Sequence, residues 1–214
     1  MGGIWVKKRD ARRTAASRKF GLQKDLHGLA EENLHMLPLA GSPKLVVVGR
    51  DVSLGTGKRA DLLAVEMTGR PVIIEVKLAR NTQARETIVA QALSYAAWLR
   101  GSRVKDLERG PLREYLHERG HGSILEAVQA QNQHDEIDAG AFVEAMEDCL
   151  SNGAFRLVLL LDDTSAELER IVDDLDAVTK KAVKIDLITV SGFRFIPITD
   201  CASFRSLIPT DSDR

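Results

Sequence analysis

Residues 59–78 read RADLLAVEMTGRPVIIEVKL, from Arg59 to Leu78. Two apolar runs, Arg59–Val65 and Pro71–Leu78, flank the turn residues Met67-Thr68-Gly69-Arg70. Short apolar runs on either side of a glycine-containing turn predict two buried strands joined as a hairpin. Asp61 stands inside the first run, and Glu75 and Lys77 stand inside the second. Side chains alternate across a strand, so Glu75 and Lys77 share one face while Ile74, Val76 and Leu78 take the other. A charge in a buried strand is costly unless it is paired or binds a cation. A cross-strand salt bridge meets that cost in one way, and a metal site meets it in another.

The turn decides which face Asp61 takes. A loop of Met67-Thr68-Gly69 makes Asp61 the direct partner of Glu75, and a loop of Thr68-Gly69-Arg70 pairs it with Lys77. Both put Asp61 on the Glu75/Lys77 face. A Thr68-Gly69 loop sets it against Val76 on the wrong face, because a one-residue slip inverts every side chain. The three-residue loop with glycine near its end is a common hairpin type. Two carboxylates and a lysine on one face suit phosphodiester hydrolysis. Asp61 and Glu75 offer hard oxygen ligands for Mg²⁺ or Mn²⁺, with the Val76 carbonyl as a further ligand. Such an ion lowers the pKa of a bound water, and Lys77 steadies the attacking hydroxide or the developing negative charge.

Working outward, Leu26, Leu29, Ala30, Asn33 and Leu37 fall at helical spacing, which predicts a helix from about Lys24 to Leu37 ended by Pro38. Lys44–Gly49 (KLVVVG) reads as a buried strand. Asn81 or Thr82 caps a helix that runs to about Leu99 and stops at Gly101. Residues 102–153 turn polar and helix-prone, broken by Gly110-Pro111, Gly120, Gly122 and Gly140, and read as a helical insert. Phe155–Leu161 (FRLVLLL) is a buried strand, Ser165–Ala182 an amphipathic helix, and Val183–Val190 and Phe193–Ile198 two closing strands. The expected fold is α/β, a mixed central sheet with helices on its faces. Its core comprises residues 20–101 and 154–200, between a basic arm at 1–19 and a loose tail at 201–214.

Asp61 followed by Glu75-Val76-Lys77 resembles the signature of the PD-(D/E)XK nuclease superfamily. The family's leading proline is missing, since Arg59-Ala60 precedes Asp61. Gln91-Ala-Leu-Ser-Tyr95 matches the Q-x(3)-Y motif of the RecB-like branch, and the run is similar to that of mismatch endonucleases of the NucS group. The likeness covers residues 24–99 and implies a restriction-endonuclease-like fold. It also implies a metal-dependent deoxyribonuclease, an endonuclease, with DNA as partner and a homodimer as one arrangement that cuts both strands. In that branch the Gln91/Tyr95 pair, neighbours on one helical face, positions the catalytic strand and touches the DNA backbone. The family also takes a metal ligand from its first helix. Glu31 and Glu32 are the candidates, with Glu32 preferred. Gln23 at that position would leave the ligand missing and favour an inactive nuclease-fold module that binds nucleic acid or a protein partner.

Other signals are weaker. Gly55-Thr-Gly-Lys58 is not a phosphate loop, because Val52 stands where glycine is needed and Arg59 follows the lysine. Lys58 and Arg59 are instead placed near DNA phosphates. His117 and His121 read as surface residues, Asp162-Asp163 as a helix-capping turn, and Asp173, Asp174 and Asp176 as a solvated helix face. The 214 residues are 44% hydrophobic and 29% charged, with net charge −1, an ordinary globular balance. Lys7, Lys8, Arg9, Arg12, Arg13, Arg18 and Lys19 stand against Asp10 alone, a basic arm suited to phosphates. Cys149 and Cys201 form no CxxC pair, which argues for a reducing, cytoplasmic setting. No apolar run approaches the roughly 20 residues that span a bilayer.

Overall fold

A computed structural model describes residues 13–18, 22–55, 57, 59–78, 82–132, 137–179, 183–190 and 192–197. The chain divides into two compact units, residues 20–190 and residues 1–19 with 191–214. In the second of these, β1 (Arg13–Arg18) and β7 (Gly192–Pro197) pair antiparallel, with Arg13 opposite Pro197 and Arg18 opposite Gly192. The expected final strand of the central sheet therefore pairs with the end of the basic arm instead. Ile198 and the 201–214 tail lie outside the described residues.

The larger unit is α/β. Its five-stranded mixed open sheet has the order β2 (Leu45–Ser53), β3 (Arg59–Glu66), β4 (Pro71–Lys77), β5 (Arg156–Leu161) and β6 (Lys184–Thr189). β2, β3 and β4 run antiparallel in sequence, whereas β4–β5 and β5–β6 are parallel. Parallel neighbours need a crossover, and α2 (Thr82–Leu99) with the helices after it supplies the first, α7 (Ala166–Val178) the second. Ser165 caps α7 by accepting from the Leu168 N–H.

The first helix, α1 (Gln23–Glu32), is shorter than predicted. Asn33 interrupts it, and a 3₁₀ turn at Leu34–Met36 carries the remaining apolar positions. Among the described residues the predicted insert holds four helices: α3 (Val104–Arg109), α4 (Arg113–Glu118), α5 (Ile124–Gln131) and α6 (Ala139–Asn152). Leu107, Leu112, Leu116, Ile124, Phe142 and Met146 are buried in one hydrophobic cluster with Val48, Ile73 and Tyr95. The insert thus shares the core of the sheet.

β2 carries a bulge. Val47 opposes Ala64 but Gly49 opposes Leu63, so Val48 is an extra residue on β2. A Cβ at Gly49 would meet the Val52 side chain at 2.5 Å and the Leu112 side chain at 2.6 Å, so any larger residue would have to displace them where α4's lead-in crosses the strand. After the bulge Arg50 opposes Leu62 and Val52 opposes Ala60, which sets Asp51 against Asp61.

At the other end of the sheet Arg156 is 2% exposed. Its Nε donates to Glu66 at 2.6 Å, one terminal nitrogen to Asp186 at 2.5 Å and the other to the Ala40 carbonyl at 3.0 Å. Three strands and the chain after α1 are tied by one guanidinium. Its removal strands two carboxylates, one of them buried, so Arg156→Ala should cost about 3–5 kcal/mol. Urea unfolding measures this, and an unchanged midpoint would refute the assignment.

Candidate functional site

The β3–β4 hairpin closes on Met67-Thr68-Gly69: the Glu66 N–H donates to Arg70, and the Gly69 N–H to Glu66. Gly69 takes φ 87°, a conformation open to glycine at no steric cost. Leu62 opposes Ile74 and Val65 opposes Pro71, and continuing that register sets Asp61 against Glu75. Ile73, on the Glu75/Lys77 face, packs in the core with Ile88, Ala92, Tyr95 and Leu99 of α2. The charged face of β4 therefore lies under a helix. Glu75 is 1% exposed, and Lys77 Nζ pairs with its Oε1 at 3.1 Å.

The remaining hydrogen-bonding capacity is specific. Asp61 Oδ2 accepts from the Val76 N–H at 2.7 Å. From α1, Gln23 Nε2 donates to the Val76 carbonyl at 2.8 Å. His27, one turn on and 6% exposed, places Nε2 3.1 Å from the Asp61 carbonyl. A carbonyl only accepts, so Nε2 carries the proton, which in a neutral ring leaves Nδ1 with a bare lone pair. Among the described residues, buried His27 Nδ1, Glu75 Oε2 and Gln91 Oε1 have no hydrogen-bond partner. Buried polar atoms are rarely left so.

His27, Asp51 and Asp61 each bring a ligand atom within 4.8 Å of the others. Asp51 has φ 48°, an uncommon backbone state that aspartate tolerates. One imidazole and two carboxylates form a donor set that fits a divalent cation, and the unpartnered nitrogen of His27 agrees with one; Glu75, a ligand expected from the sequence, is not among the three. Facing carboxylates on adjacent strands would otherwise destabilise the sheet.

The predicted first-helix ligand is corrected. Glu32 is exposed and stands outside this cluster. Glu31 accepts from Arg50 at 2.9 Å, Arg119 at 3.2 Å and Tyr115 at 3.4 Å, which ties α1 to β2 and the insert. The α1 residues at the site are Gln23 and His27, and Asp51 joins them from β2. His27 and Gln23 are four apart on α1, which begins at Gln23, one residue before the expected start at about Lys24. Asp51 left no sequence signal, because its face depends on the bulge. Tyr95, 1% exposed, donates from its hydroxyl to the Arg59 carbonyl at 2.9 Å, anchoring the start of β3 to α2. Gln91 is half-buried one turn earlier, and Arg59 is exposed. Lys58 lies outside the described residues. His117 is exposed and His121 half-buried, and Asp173, Asp174 and Asp176 are exposed.

Electrostatics follow from burial. Burial pushes the Asp61 carboxyl up, against the Val76 N–H and Lys77, which lower it. Burial, then the charge of Asp61, pushes Glu75 up to about 7, with Lys77 opposing. Burial, then Glu75 and Asp61, pushes Tyr95 up to about 12, so the phenol stays a hydrogen-bond donor. Burial likewise raises the free Cys149 thiol, which suits an inert cysteine.

The fold and site define an α/β protein whose sheet gathers acids, an imidazole and an ammonium beside one hairpin. Comparison with protein-family models, curated proteins and solved structures finds no match for this chain. Among the described residues no helix is long and apolar enough to cross a membrane.

A raised Glu75 pKa predicts a pH signature. Below pH 4.5 the carboxyl is protonated in folded and unfolded chains alike. As pH rises toward 7 the unfolded chain ionises first, so stability falls, and above 7 the loss levels off. Urea midpoints in chelator should decline from pH 5 to 8 more steeply for the wild type than for Glu75→Gln. Parallel profiles for the two proteins would contradict the buried-acid assignment.

Proposed function

We propose that this protein is a metal-dependent nuclease with a restriction-endonuclease-like fold that hydrolyses phosphodiester bonds in DNA. The observation that carries the reading is the convergence of Asp61, Glu75 and Lys77 on one sheet face, with His27 and Asp51 beside Asp61. The sequence likeness at Asp61, Glu75-Val76-Lys77 and Gln91/Tyr95 supports it.

Asp61 and Glu75, with the Val76 carbonyl, His27 and Asp51, would hold Mg²⁺ or Mn²⁺. The ion would acidify a bound water and neutralise phosphoryl charge. Lys77, 3.1 Å from Glu75, is placed to steady the negative charge that develops as water attacks phosphorus in line. Gln23 and the Val76 N–H fix the two groups that flank the site, the Val76 carbonyl and the Asp61 carboxylate. Tyr95 holds β3 in place through Arg59, and Gln91 presents a spare amide oxygen. Asp61→Ala and Lys77→Ala should each lower oligonucleotide cleavage in Mn²⁺ by roughly 10²–10³-fold or more, with unchanged circular dichroism. A purified Lys77→Ala protein that cuts at the wild-type rate would sink the assignment.

The metal centre is testable without turnover. His27→Ala and Asp51→Asn should each weaken Mn²⁺ binding by roughly tenfold or more in calorimetry. Affinities equal to wild type would remove both residues from the centre.

One observation favours a second reading. α1 brings no glutamate to the site, as expected of a nuclease-fold module that binds nucleic acid or a protein partner without cutting. Salt-sensitive DNA binding with no cleavage in either Mg²⁺ or Mn²⁺ would select that reading.

A further inference from the structure

The strongest unassigned feature is a hollow of about 410 Å³ between α3 and α4, away from the groups described above. Lys105 and Arg109 reach it from α3, Arg113 and His117 from α4, and His121 from the following turn. Each helix contributes an i, i+4 pair, so both members lie on the same face. Lys105, Arg109, Arg113 and His117 are exposed, and among the described residues none of the five basic side chains forms an ion pair. Buried Leu116 lines the hollow as well. The acid in the wall, Glu108, accepts from the Ile124 N–H at 2.8 Å and so is held by the start of α5.

Like charges left unpaired around one concavity repel one another, and a bound anion relieves that repulsion. Residues 102–153 hold five Lys and Arg against eleven Asp and Glu. Three of the five cations line this hollow, while Arg119 is committed to Glu31. A long polyanion crossing the insert would pass Asp106, Glu114 and Glu118 on the same two helices. A compact anion would meet the cations and avoid those acids. Arginine forks match phosphate oxygens in pairs, and lysine adds a point charge. We infer that the hollow between α3 and α4 binds a compact phosphate-bearing anion, a di- or triphosphate group. The helix that supplies Arg113 and His117 also turns Tyr115 and Arg119 to Glu31, and the Arg119 guanidinium lies 3.6 Å from the Tyr115 ring centre. The wall of the hollow is therefore built on a helix anchored to α1.

The test is calorimetric titration of the full chain with inorganic pyrophosphate and tripolyphosphate, in chelator and at constant ionic strength. Chelator keeps the phosphates from binding through a divalent ion. The wild type should show saturable binding, stronger for tripolyphosphate. Arg109→Ala/Arg113→Ala should weaken it roughly tenfold or more, whereas the equally charge-depleted control Arg100→Ala/Arg170→Ala should bind as wild type. No saturable binding by the wild type overturns the proposal, and so does equal loss in both double variants. Oligonucleotide binding that is lost only in Arg109→Ala/Arg113→Ala, with no pyrophosphate binding, overturns it in favour of a nucleic-acid strand. None of these outcomes bears on Asp61, Glu75 or Lys77, so the nuclease reading is tested separately.

Discussion

Carboxylates on neighbouring strands repel, and this sheet sets three of them side by side. Asp51 opposes Asp61 across β2 and β3, and Asp61 opposes Glu75 across β3 and β4. The crowding is met by a small set of compensations: the Lys77 ammonium on Glu75, the Val76 N–H on Asp61, the Arg50 guanidinium on Asp51, and the His27 ring against the Asp61 main chain. They are incomplete, since one oxygen of Glu75 and one nitrogen of His27 remain buried without partners. A proton on Glu75 relieves part of the repulsion, and a divalent cation would relieve more. Asp51 is exposed, but the burial that makes Asp61 and Glu75 expensive also strengthens whatever positive charge they recruit.

The rest of the larger unit holds this arrangement in place. The Met67-Thr68-Gly69 loop sets the register of β3 against β4, and one residue more or fewer would turn Asp61 to the other face. α2 covers the charged face and ties itself to β3 through the Tyr95 hydroxyl. At the opposite end of the sheet, Arg156 binds Glu66 and Asp186 together, joining β3, β5 and β6. An ionic cluster at one end fixes strand positions while the acids at the other end are left with spare valence. The ion-pair cluster and the acidic cluster are thus separated along the strands.

The helical segment between α2 and β5 has two faces. Its apolar side chains enter the same core as the sheet, and Leu112 would have to move to admit a side chain at Gly49 beside the bulge. Its polar side joins Glu31 on α1 through Tyr115 and Arg119, and gathers Lys105, Arg109 and Arg113 around a separate hollow. The segment therefore bears on β2, whose bulge orients Asp51, although among the described residues it supplies no group to the acidic cluster.

The hairpin, the shared face of Glu75 and Lys77, and the long helix carrying Gln91 and Tyr95 were legible in the chain, because alternation and helical spacing are local rules. Asp61 was legible up to a choice of turn. Its placement needed the register that the folded hairpin selects. His27 and Asp51 were not legible as site residues. The first acts through a contact with the main chain of a distant strand, and the second faces Asp61 only because one extra residue is accommodated in β2. Arg156 stands at the mouth of an apolar strand, and its two acids lie far away in sequence. The pairing of β7 with the end of the basic arm joins opposite ends of the chain, which no local pattern encodes. Sequence alone determined which side chains lie on a common strand or helix face, since backbone geometry repeats over a few residues. Tertiary structure alone decided which faces meet, because bulges, buried ion pairs and end-to-end pairing depend on packing between segments remote in the chain.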